Sequence, residues 1–127
     1  MTEMKDSGAR EEFTSGAVRD TSDNKPRPDL ISPFAKERIG YWLMLGARKY
    51  KPWNWAKGIP MSRIVESLER HLMAFQQGLE DEDHLAAIMC NAMFLLDHDE
   101  RIKQGLLPAE FNDMISFGDF SECSKST

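Results

Sequence analysis

Two glutamates, Glu66 and Glu69, stand three residues apart in a segment whose apolar residues recur at helical spacing. Residues at this spacing lie on the same face of a helix, with Cβ atoms roughly 5–6 Å apart. A pair of carboxylates this close suits a hard divalent cation such as Mg²⁺ or Mn²⁺. The same pattern also fits a solvated helix face, on which the glutamates pair with the neighbouring Arg63 and Arg70. Both interpretations are open at the level of the sequence.

The segment from Gly46 to Gly58 joins cations and amides to aromatic rings just ahead of these glutamates. It suits a nucleotide, which has charged phosphates at one end and a flat base at the other. Trp53 or Trp55 is a candidate for stacking on the base, and Asn54 for contacting its edge. One tryptophan, most simply Trp55, could instead anchor the core. The candidate phosphate-binding side chains are Arg48, Lys49, Lys57 and Arg70.

Three helices are predicted to position these residues. Ser32-Pro33 is typical of a helix N-cap followed by a first-turn proline, and the apolar residues after it predict a helix that ends near Gly46. Residues 49–60 contain two prolines and a glycine, so they are predicted to form a loop.

The second helix, for which Ser62 is a candidate cap, carries a stripe of apolar residues and ends at Gly78. The acidic run from Glu80 to Asp83 opens the third helix, because carboxylates favour the positive end of a helix dipole. Antiparallel packing would bring Asp83 and Asn91 toward the glutamate pair and add oxygen ligands for a cation. Asn91 would be buried in an apolar helix, so it needs a polar partner. A metal ion or a hydrogen bond within the core would each supply one.

No internal repeat and no strand pattern is evident, so the predicted fold class is all-α. Residues 1–25 are predicted to form a flexible N-terminal segment, 26–107 the helical catalytic domain and 108–127 a C-terminal tail. The third helix is apolar on much of its circumference, which predicts that the chain assembles as a homo-oligomer.

Composition excludes several classes of protein. A chain of 127 residues with a net charge of -5 is one domain and lacks the basic surface that duplex nucleic acid requires. No apolar run approaches the roughly 20 residues of a membrane span, and the start of the chain lacks a signal-peptide core. We therefore expect a cytoplasmic protein. Cys90 lies in an apolar helix and Cys123 in a polar tail, so no disulfide framework is predicted.

A series of short motifs follows between residues 24 and 104: Gly46-Ala47-Arg48-Lys49-Tyr50, Asn54-Trp55, Gly58, Ser62-Arg63, Arg70-His71-Leu72, Gly78, His84-Leu85-Ala86 and Cys90-Asn91. The ordered set resembles the signature of phage dATP/dGTP diphosphohydrolase-type domains, which are similar to the all-α MazG-like nucleotide pyrophosphohydrolases. The resemblance implies a MazG-like helical bundle that assembles as a dimer or tetramer. It also implies Mg²⁺- or Mn²⁺-dependent cleavage of dGTP and GTP to the monophosphate and pyrophosphate. In a phage setting, in the cytoplasm of the host cell, the dGMP would supply synthesis of 2-aminoadenine nucleotides.

MazG-like enzymes carry an EExxE motif on one helix and ExxD on the next. Here residues 65–69 keep the second and third glutamates, while Ile88 stands in place of the acid of ExxD and Asn91 in place of its aspartate. Asp83 or His84, one turn upstream of Ile88, would replace the missing acid, and His84 is also a candidate substrate contact. The helical spacing and the resemblance together predict two catalytic residues and four metal ligands. The catalytic pair is Glu66 and Glu69, either of which could position or deprotonate the attacking water, and the ligands are Glu66, Glu69, Asp83 and Asn91.

Two alternatives are open. His71 and the His98-Asp99 pair follow the order of HD-type nucleotide phosphohydrolases, although the chain is short for that fold. The basic, tryptophan-containing loop could instead bind single-stranded nucleic acid without catalysis. The acidic total charge and the glutamate pair favour the enzyme over the binding module.

Overall fold

The computed structural model describes residues 3–118 and 120, and the chain divides into two compact units, Met1–Ile31 and Ser32–Thr127. The first unit contains an antiparallel hairpin of β1 (Arg10–Glu12) and β2 (Val18–Asp20), in which Arg10 pairs with Asp20. The prediction that the chain has no strand is therefore wrong for this hairpin. Strands of three residues are too short for an alternation of polar and apolar residues to reveal them.

Helix α1 (Pro33–Lys49) begins where the sequence predicted, because Ser32 Oγ accepts a hydrogen bond from the Ala35 amide at 3.2 Å. The predicted end near Gly46 is wrong. The helix continues to Lys49, and the Tyr50 amide closes it by donating to the Gly46 carbonyl at 2.9 Å. A glycine within a helix costs only about 1 kcal/mol, which is too little to end a helix that is otherwise favoured.

Helices α2 (Met61–Gln76) and α3 (His84–Lys103) pack antiparallel, since Ser67 contacts Asn91 and His71, one turn later, contacts His84. Helix α1 packs on α3. The core between these helices includes the buried side chains of Ile64, Ala86, Ala87 and Cys90. Burial raises the pKa of the Cys90 thiol to about 11, so this cysteine is a neutral core residue. Cys123 lies outside the described residues.

At the turn between α2 and α3 the predicted closure at Gly78 is confirmed, whereas the acidic run lies ahead of α3, which begins at His84. Gly78 ends α2 in the left-handed region, with φ 76°, and Asp83 caps α3 by accepting a hydrogen bond from the Ala86 amide at 3.1 Å. The candidate cap Ser62 is not one: Pro60 occupies the N-cap position of α2, and Ser62 lies within the first turn. None of the helices in the described part of the chain has the length and hydropathy needed to span a bilayer.

Candidate functional site

Glu66 and Glu69 are both exposed on α2. Glu66 forms ion pairs with Arg70, one turn further along the helix, and with Arg63 at 3.4 Å. Glu69 forms no ion pair among residues 3–118. The arginine pairing of a solvated helix face is therefore present at Glu66, while the carboxylate of Glu69 remains open to solvent.

Asp83, a predicted metal ligand, is engaged by helix α1. The Arg38 guanidinium donates to its two carboxylate oxygens at 2.9 and 2.6 Å. Hydrogen bonding to Arg38 holds the pKa of Asp83 below its ordinary value. One of the same oxygens also accepts the capping hydrogen bond from Ala86. Both carboxylate oxygens of Asp83 thus accept hydrogen bonds where α1 meets the start of α3.

Asn91 is buried, and its amide is hydrogen-bonded within the core. Its Nδ2 donates to Ser67 Oγ at 3.3 Å and to the Ala87 carbonyl at 3.0 Å. The sequence required a polar partner for this side chain, and Ser67 on the facing helix supplies one.

Three of the four predicted metal ligands already have partners within the chain. No three His, Cys, Asp or Glu side chains in the described ranges lie close enough together to hold a metal ion. Glu66 is paired with arginines, Asp83 is paired with Arg38, and Asn91 directs its NH₂ group at Ser67. We therefore derive no catalytic step through a metal, and the requirement for Mg²⁺ or Mn²⁺ stays a prediction.

Replacing Asn91 with alanine is expected to lower the free energy of unfolding by about 1–3 kcal/mol, because a buried hydrogen bond to Ser67 is lost. Mn²⁺ affinity should stay unchanged. Urea denaturation measures the first quantity and calorimetric titration with MnCl₂ the second. The opposite pattern, a stable variant with weakened Mn²⁺ binding, would identify Asn91 as a metal ligand.

The loop between α1 and α2 exposes one tryptophan and uses the other as an anchor. Trp55 stacks on Phe94 of α3, with ring centroids 5.0 Å apart and planes 19° from parallel. Trp53 is 71% exposed and has a left-handed φ of 65°, which is uncommon for a bulky residue and is associated with functional positions. Asn54 lies half-buried between them. Trp55 is half-buried and packs on Phe94, as the core-anchor alternative expects, and Trp53 is the more exposed of the two rings.

Several predicted phosphate-binding cations lie on the surface near this loop. Arg48, Lys49 and Lys57 are exposed, and Lys49 Nζ lies 5.3 Å from the centroid of the Tyr50 ring. Arg48 and Lys57 form no ion pair among the residues that the structure describes. Arg70 is already paired with Glu66. Arg48 and Lys57 are therefore the cations most available to an anion.

His84, a predicted substrate contact, is buried with both ring nitrogens engaged. Its Nε2 lies 2.8 Å from Asp81 Oδ1 and its Nδ1 lies 2.9 Å from Nδ1 of His71. Because a carboxylate only accepts, His84 Nε2 donates to Asp81, and of the two facing Nδ1 atoms one donates and the other accepts. The ring that accepts in this hydrogen bond must be neutral, and burial lowers the pKa of His71, which favours its neutral form. His84 therefore fixes the turn between α2 and α3.

A comparison with family models matches residues 15–106 to the dATP/dGTP diphosphohydrolase N-terminal domain. The chain belongs to this family. The match covers all three helices and the tryptophan loop, and it confirms the family that the short motifs indicated. Neither a curated protein nor a solved structure matches the chain. Membership of a diphosphohydrolase family supports nucleotide hydrolysis in general.

The HD-type alternative finds no support in the geometry of this family member. His98 is fully buried, and its Nε2 accepts a hydrogen bond from the Ile59 amide at 3.0 Å. Asp99, the second residue of the HD pair, binds Lys103 on the surface of α3 at 2.8 Å. At 1.5 Å of rise per residue, His98 lies about 20 Å along α3 from His84, which contacts His71.

The sequence did not indicate two residues that make long-range contacts with α2 and α3. Arg38 binds Asp83 across 45 residues of sequence, and Asp113 binds Ser62 across 51. The separate segments contain no local pattern that indicates either pair.

Proposed function

We propose that this protein hydrolyses dGTP, and also GTP, to the monophosphate and pyrophosphate. The observation that carries the proposal is the family match over residues 15–106, which includes both the exposed Trp53 and the Glu66–Glu69 pair. A resemblance to the cyanophage enzyme MazZ would imply this activity. The dGMP formed would supply the synthesis of 2-aminoadenine nucleotides in a phage-infected cell.

The exposed residues suit the two ends of such a substrate. Trp53 would stack on the base, and Asn54 would contact its edge. Arg48 and Lys57 would meet the phosphates, joined by Lys49 and Arg70 if their present contacts open. His84 would support the α2–α3 turn rather than contact the substrate, since both of its ring nitrogens are engaged.

Glu69, or Glu66 once released from its arginines, would position or deprotonate the attacking water. The water oxygen forms a bond to the α-phosphorus, the bond from that phosphorus to the α,β-bridging oxygen breaks, and pyrophosphate leaves. The proton of the water passes to the carboxylate. The nearby cations would offset the charge of the departing pyrophosphate.

Mg²⁺ or Mn²⁺ is the proposed cofactor, and a dimer or tetramer is the proposed assembly. Mg²⁺ is commonly held by one or two carboxylates together with substrate phosphates, so two exposed glutamates are sufficient protein ligands. Leu85, Met89 and Leu96 lie along one face of α3 and are 42%, 50% and 73% exposed. An apolar stripe of this kind is typical of a subunit interface.

Incubation with each nucleoside triphosphate and Mn²⁺ tests the reaction. We expect dGTP to give dGMP and pyrophosphate, with dATP a poorer substrate and with no turnover in EDTA. Chromatography of the nucleotide and enzymatic detection of pyrophosphate identify the products. Release of triphosphate and deoxyguanosine would favour the HD-type reaction. Binding of single-stranded DNA without any turnover would favour the non-catalytic module.

A further inference from the structure

After α3 the chain turns back toward the loop between α1 and α2. Leu107 is buried, residues Ala109–Phe111 form a short 3-10 turn, and Asp113 reaches the first turn of α2. We call residues 107–113 the strap. The family match ends at residue 106, so the strap lies outside the segment that family membership covers.

Asp113 caps a helix that lacks a cap of its own. The N-cap residue of α2 is Pro60, which has no side chain able to accept a hydrogen bond. Asp113 Oδ1 accepts from the Ser62 amide at 2.8 Å, and Oδ2 accepts from Ser62 Oγ at 2.5 Å. These hydrogen bonds lower the pKa of Asp113, as expected for a carboxylate at the positive end of a helix.

Phe111 packs against the end of the tryptophan loop. A Cβ atom on Gly58 would lie 2.6 Å from Cζ of Phe111, so the ring sits directly on the glycine backbone. Gly58 has a φ of 108°, which side-chain-bearing residues rarely adopt. The same ring stands edge-on to His98, with centroids 6.5 Å apart.

Helix α3 holds the same stretch of loop from its own side. The Ile59 amide donates to His98 Nε2 at 3.0 Å, and Arg101 Nη2 donates to the Ala56 carbonyl at 3.0 Å. Backbone from Ala56 to Ser62 is therefore fixed by α3 and the strap together. Lys57 lies within this stretch, and its exposed ammonium forms no ion pair among the described residues.

We propose that the strap is a positioning element for the nucleotide site, with Asp113 and Phe111 as its positioning residues. The inference rests on the proposed function and deepens it. The side chains of Trp53 and Lys57 are exposed, so the loop backbone determines where they stand. Phe111 fixes that backbone at Gly58, next to Lys57, and Asp113 fixes it where the loop enters α2. Loosening the strap would leave the fold intact but allow Lys57 to occupy many positions. Ordering Lys57 on binding would then cost more free energy, so nucleotide binding would weaken more than the chemical step slows.

The test compares Asp113→Ala and Phe111→Leu with a matched control, Glu110→Ala. Glu110 lies in the same strap, is exposed and forms no hydrogen bond or ion pair among the described residues. We expect each strap variant to raise the KM for dGTP by about tenfold and to leave kcat within about twofold of the wild-type value. A tenfold change in KM matches the loss of one charge-assisted hydrogen bond. The control should match the wild-type protein. Asp113→Asn keeps an acceptor for the Ser62 amide and should recover most of the affinity.

Hydrogen exchange provides a readout that does not depend on turnover. The amides of Ile59 and Ser62 should exchange faster in the Asp113→Ala protein, while amides in the middle of α3 keep their protection. Faster exchange with an unchanged KM would overturn the positioning role, as would unchanged exchange. Should the wild-type protein fail to hydrolyse dGTP, the proposed function falls, and the strap is judged on the dissociation constant for α,β-methylene-dGTP. An equal dissociation constant in wild type and variants, or no binding by either, overturns the inference.

Discussion

Turnover of dGTP is expected to fall by about a hundredfold or more when Glu66 or Glu69 is changed to glutamine, which is the loss typical of removing a general base. Glutamine keeps the size of the side chain but can neither accept the proton of the attacking water nor supply negative charge to a divalent cation. The change at Glu66 also breaks its ion pairs with Arg63 and Arg70. These pairs are exposed, so the free energy of unfolding should change by no more than about 0.5 kcal/mol.

Initial rates of pyrophosphate release at saturating Mn²⁺ measure this loss. Glu37→Gln is a matched control, because Glu37 is exposed on α1 and forms no ion pair within residues 3–118. It should leave the rate unchanged. If the Glu66 and Glu69 variants also hydrolyse dGTP at the wild-type rate, the pair belongs to a solvated helix face and the proposed mechanism is wrong.

The start of α1 was predictable because its cap is local. Ser32 accepts a hydrogen bond from the amide three residues later, so the signal and its effect lie in the same short segment. The start of α2 was assigned to the wrong residue for the opposite reason. Its cap is Asp113, and the two partners are separated by 51 residues. A serine near a helix start is a plausible cap on its own, and only the fold reveals that it is the donor.

The candidate site also contains residues whose environment the sequence indicated and residues whose contacts it could not indicate. The sequence left both tryptophans as candidates for stacking on a base and offered Trp55 as an alternative core anchor, and in the structure Trp55 stacks on Phe94. It also identified Asn91 as a buried amide in need of a partner. It could not predict that Arg38 would occupy Asp83 or that His71 would occupy His84. Those contacts depend on which faces of α1, α2 and α3 meet, and short motifs do not contain that information.

Replacing His98 is expected to have a large destabilising effect. Its Nε2 accepts the Ile59 amide, so the ring carries its proton on Nδ1 and donates to Asp97 Oδ2 at 3.0 Å. The ring is fully buried beneath Phe111 and the end of the tryptophan loop. Alanine at this position would leave the Ile59 amide without its acceptor and open a cavity.

The His98→Ala protein is expected to lose about 2–5 kcal/mol of unfolding free energy, from the unpaired amide and the cavity together. Urea denaturation measures this loss. Asp99→Asn is the informative comparison, because Asp99 only pairs with Lys103 on the surface. We expect this variant to keep its stability within about 0.5 kcal/mol and to retain dGTP turnover. An HD-type phosphohydrolase would behave in the opposite way, since its catalytic histidine and aspartate act together. Loss of turnover at Asp99 would show that the pair serves catalysis, and a His98→Ala protein as stable as the wild type would show that the ring does not support the loop.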